Sequence, residues 1–143
     1  MNVKAGYEKG SLTSGTGTIL TFSGVYGTVK DPNAVVDGMF TYLDKQTTDD
    51  NSDGSTVELQ GAPQKVTPAG LDDAVMKCQS AKYTEDGTSF TMPVCLWADY
   101  STVGYVLPVD IGAVALGTGG GMSITDAADL TAKVRHDVRV PIK

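Results

Sequence analysis

A chain of 143 residues is the size of one domain, and a net charge of −6, from 17 acidic against 11 basic residues, has the wrong sign for a nucleic-acid binder or for docking on anionic lipid. A hydrophobic content of 41% is ordinary for a globular chain with a buried core, and no run is long and apolar enough to span a membrane. The first residues, Met1-Asn2-Val3-Lys4, carry no signal-peptide pattern, so a targeting or anchoring segment is expected to lie outside this sequence.

Taken in order, residues 1–17 offer little to bury and read as a flexible N-terminal segment, leaving 18–143 as a single domain. Thr18 to Val29 is strand-like: Leu20 and Phe22 alternate with Thr21 and Ser23, and Gly24 suggests a bulge or bend. Asp31-Pro32 opens a helix over 31–45. Asp31 can cap it, and Pro32 at the first helical position loses no needed N–H. Val36, Met39, Phe40 and Leu43 then form one apolar stripe. Gln46 to Ser55 is an acidic loop, Thr56 to Gln60 a short strand, and Gly61 to Leu71 a connection rich in Pro and Gly.

The stretch Val75–Asp99 organises the rest. Two strand-favouring runs flank Asp86-Gly87, a dipeptide suited to the positive φ angles of a type I′ turn. Folding about that turn sets Glu85 opposite Thr88, Tyr83 opposite Phe90, Ala81 opposite Met92, and Cys78 opposite Cys95, the only two cysteines. The cysteines fall on a non-hydrogen-bonded pair, whose close Cα spacing of about 4.5 Å lies at the short end for a disulfide. A Cys78–Cys95 cross-strand bridge follows, and with it an oxidising compartment.

A third strand, Thr102 to Asp110, comes after a turn at Asp99-Tyr100-Ser101. Its register brings Pro108 beside Pro93, so both prolines interrupt the ladder at one place. Ala113 to Leu116 suggests a brief further strand and Gly117–Gly121 a linker. Ser123 or Thr125 caps a second helix with Ala127, Leu130 and Val134 as its apolar face; Lys133, Arg135 and His136 fall in its last turns, where cations suit the helix dipole. The order of elements predicts an α+β domain, two helices packed on an antiparallel sheet.

At MKCQ, PVCLWADYSTVG and LTAKVR, from about Thr21 to Val140, the chain resembles a group of actinobacterial envelope proteins. In these a Gly/Pro-rich cytoplasmic tail and one membrane span precede an extracytoplasmic domain. The resemblance implies surface exposure and membrane anchoring through an N-terminal segment, and it brings no activity and no functional residues. Two helices on an antiparallel sheet are also similar in topology to the PsbP/Mog1 type of domain.

The chemistry-bearing residues are few. Asp49, Asn51, Asp53 and Gly54 match the first positions of an EF-hand calcium loop, but Gln60 stands where a bidentate glutamate is needed, which makes a solvated acidic loop the simpler reading and calcium at most a weak ligand. Ser101, His136 and Asp99 supply the residue types of a triad without any nucleophile-elbow motif. Asp99 and Ser101 are turn formers, and Trp97 shares a sheet face with the cysteines, where packing on the disulfide is its expected role. Gly117–Gly121 lacks both the lysine of a phosphate-binding loop and the final glycine of a dinucleotide fingerprint.

The sequence therefore predicts a non-catalytic extracytoplasmic domain of the bacterial cell envelope with no cofactor, binding a protein, cell-wall fragment or small ligand. The binding surface is expected around Met92, Trp97, Asp99, Tyr100, Ser101 and Tyr105. The alternatives are a hydrolase using Asp99 and Ser101 in an unfamiliar site, and a structural spacer.

Overall fold

The computed structural model describes residues 2–11, 16–48, 54–110 and 121–138. Its centre is the hairpin of β4 (Val75–Glu85) and β5 (Thr88–Ala98), closed by Asp86 and Gly87 at φ 50° and 78°, as a type I′ turn requires. The register is the expected one throughout, with Cys78 opposite Cys95, and the two sulfurs are bonded across a Cα separation of 4.1 Å.

Six strands make one antiparallel sheet in the order β1-β2-β6-β5-β4-β3. The others are β1 (Asn2–Ser11), β2 (Thr16–Tyr26), β3 (Thr56–Val66) and β6 (Thr102–Asp110). The β5–β6 ladder runs from Ala98↔Val103 to Cys95↔Val106 and stops there, two residues short of the buried Pro93 and Pro108. Neither ring nitrogen has a proton to donate, so the strands part, each still paired on its other side.

Two expectations for the N-terminal half need correction. Residues 2–11 are not a loose lead-in: they pair with β2 from Asn2↔Val25 to Ser11↔Thr16 and form a sheet edge. An edge strand needs a partner on only one side and little apolar surface, so low hydrophobicity does not mark it. Gly24 makes no bulge either, because the β2–β6 ladder runs unbroken through Gly24↔Gly104. The real bulge is in β3, between Gln60 and Gln64, where Gly61 takes φ 69° and lets the strand continue to Val66 past Pro63. The buried Gln79 side chain donates to the freed Gly61 carbonyl at 2.9 Å.

Among the described residues two helices occur, on opposite faces of the sheet. Helix α1 (Pro32–Thr48) starts where Asp31 accepts the Ala34 N–H at 3.1 Å, and it sets Val36 and Phe40 on Leu96, Ala98 and Val103. Helix α2 (Ile124–Val138) is capped by Ser123, whose hydroxyl accepts the Asp126 N–H at 3.1 Å. It covers Met76, the disulfide, Trp97, Phe22 and Val106. Alternation along β5 explains the division: Cys95 and Trp97 point to α2, Leu96 and Ala98 to α1.

The buried face of α2 differs from the one read off its apolar pattern. Ala127, Ala128, Thr131, Ala132 and Arg135 are buried, while Leu130 and Val134 flank them. Small residues let the helix lie close on the bulky disulfide–tryptophan surface. The Gly121 backbone lies against the Thr91 carbonyl so closely that a Cβ there would overlap it, which gives the last residue of the glycine run a packing role. Ala113–Leu116 and the rest of that run lie outside the described residues.

Candidate functional site

Among the described residues two places bring unusual side chains together, one closed and one open. The closed one is built on the β5–β6 turn. Asp99 ends β5, and its Oδ1 accepts the Ser101 N–H (2.8 Å), the Ser101 hydroxyl (3.0 Å) and the Thr102 N–H (2.6 Å). Its Oδ2 accepts the Thr102 hydroxyl at 2.8 Å. Arg135 reaches the same Oδ2 from α2 through Nη2 at 2.8 Å and Nε at 3.2 Å, and its Nη1 donates to the Leu71 carbonyl at 3.1 Å. Trp97 joins the cluster by donating its indole N–H to the Thr102 hydroxyl at 3.2 Å.

Both members of this ion pair are withdrawn from water, with side-chain exposures of 1% for Arg135 and 3% for Asp99. Burial pushes the Asp99 carboxyl up. The hydrogen bonds from Ser101, Thr102 and Arg135 outweigh it and hold the group at about 2, below its ordinary 3.8. A carboxylate that weakly basic is a poor proton acceptor at neutral pH. The arrangement ties the turn to α2 and to the loop before β4, and it leaves Asp99 no face toward a substrate.

The triad geometry is absent. His136 is exposed, and its Nδ1 lies 3.5 Å from its neighbour Asp137, while the position beside Asp99 is taken by Arg135. Arg135 itself is no surface cation at a helix end: it is the most deeply held charge among the described residues.

The residues expected to form one binding surface are distributed over three environments. Trp97 is buried under α2 with the disulfide, and Asp99 is buried beside it. Tyr100 is exposed at the turn tip together with Ser101. Met92 and Tyr105 belong to the opposite face, the α1 side, by strand alternation. Of the six, Tyr105 lines the groove described below. The candidate calcium ligands Asp49, Asn51 and Asp53 lie outside the described residues, among which no cluster of three or more metal-ligating side chains occurs.

The open place is that groove, of about 340 Å³, along the flank of α1. Ala34, Val35, Gly38, Met39, Tyr42 and Leu43 form its helical wall, and Leu96 and Tyr105 its floor. No charged residue lines it; the Lys77–Asp37 ion pair links α1 to β4. Gly38 deserves a reason, because glycine inside a helix costs about 1 kcal/mol relative to alanine. No clash requires it: a Cβ there would meet nothing within 4 Å. The missing side chain leaves helix backbone bare in the wall of the groove.

Sequence reading missed this groove because its residues look like a broad core stripe. A signal was present all the same. Ala34, Gly38 and Tyr42 recur at i, i+4 and i+8 beside the core positions, which widens the apolar arc beyond what one sheet contact needs.

Compared with models of protein families, with curated proteins and with solved structures, the chain matches none. The indications of setting come from the molecule itself. A fully buried, bonded cysteine pair suggests an oxidising, extracytoplasmic environment. Among the described residues no helix is long and apolar enough to cross a membrane.

Proposed function

We propose that this is a non-catalytic extracytoplasmic domain of the bacterial cell envelope, secreted or membrane-anchored, and that it binds a ligand in the α1 groove. The observation that carries the binding reading is the groove itself: open, uncharged, walled by a helix that bares its backbone at Gly38, and flanked by two tyrosines. Its volume is at the low end of ligand sites, which span about 300–1,000 Å³. The polar groups offered by the lining side chains are the phenol hydroxyls of Tyr42 and Tyr105, so shape and apolar contact would dominate recognition. The envelope setting is supported by the disulfide and by the resemblance at MKCQ, PVCLWADYSTVG and LTAKVR.

Titration with Nile red, an uncharged apolar probe, tests the binding reading. The native protein should show saturable one-site enhancement, and Gly38→Phe, which fills the groove, should abolish it while leaving the melting temperature within a few degrees. Absence of binding to the native chain, or undiminished binding to a folded Gly38→Phe variant, overturns it.

A further inference from the structure

We draw no further inference here: the strongest candidate, the apolar groove between α1 and the β5–β6 floor, belongs to the site already described, and nothing in the structure shows what covers it.

Discussion

The Asp99–Arg135 pair yields an asymmetric prediction. Arg135 has two bonds to Asp99 and one to the Leu71 carbonyl, whereas Asp99 accepts those two and four more from its own turn. Arg135→Met therefore leaves a carboxylate that keeps its four turn donors. Asp99→Ala leaves a guanidinium 1% exposed, with the Leu71 carbonyl and an Asp73 oxygen 3.7 Å away, and it also strips the turn donors of their acceptor. Breaking a buried pair from one side costs about 3–5 kcal/mol. Arg135→Met belongs near the lower figure and Asp99→Ala near or above the upper one. The double variant should cost at least about 2 kcal/mol less than the sum of the two, because the pair acts as a unit. Urea unfolding followed by the emission of Trp97, the sole tryptophan, reads all three. Equal costs for the two single variants, or strict additivity, would refute this account of the clasp.

The same pair fixes the acid limb of stability. The folded carboxyl of Asp99, at about 2, lies below its unfolded value of 3.8. Its contribution is thus complete above roughly pH 4 and is lost as pH falls from there through about 2. A difference of somewhat under two pH units corresponds to about 2 kcal/mol. In Arg135→Met the two bonds from the guanidinium that help hold the group down are gone, so the acid limb should move to higher pH.

Other expectations are simpler to state. Replacing both cysteines by alanine should lower stability by about 3 kcal/mol, given a bridge between residues 17 apart, and denatured wild-type protein should show no titratable thiol until reduced. Gly104→Ala places a Cβ in steric overlap with the six-membered ring of Trp97, its cross-strand partner, and should cost about 1–3 kcal/mol with a red shift in Trp97 emission. Gly38→Ala should instead raise stability by up to about 1 kcal/mol, since the space above it is empty; a loss in urea unfolding would mean that the space is needed by the fold itself.

How much of this was legible follows the range of the interactions involved. The hairpin was readable to the residue, because Asp86-Gly87 sets the register locally and a two-residue loop admits one pairing. The stop at Pro93 and Pro108 was readable for the same reason, as a property of the proline nitrogen. The caps of both helices were visible as Asp31 and as one of the two alternatives, Ser123. Long-range terms were not. The edge strand Asn2–Ser11 depends on β2 for its pairing, and nothing in its own composition announces that. The extension of β3 to Val66 depends on Gln79, 18 residues from Gly61, capturing a bulge carbonyl. Arg135 looked like a dipole-compensating end residue because its partner, Asp99, is 36 positions away.

Asp99, Ser101 and the only indole are consumed by the fold, which favours the other face for the proposed ligand. Among the described residues every buried polar side-chain atom has a partner, and the bonds of Trp97, Asp99 and Arg135 fasten α2 to the sheet. The α1 face carries no such network along the groove. Its walls are apolar side chains, two phenols and a stretch of bare helix backbone, in a chain whose net charge of −6 resides elsewhere. Screening acts on charge pairs and leaves apolar burial nearly untouched at moderate salt. Uptake of an uncharged probe by this groove should therefore be the same at low and physiological ionic strength. A binding constant that fell steeply with salt would place the occupied site on the charged surface and not beside α1.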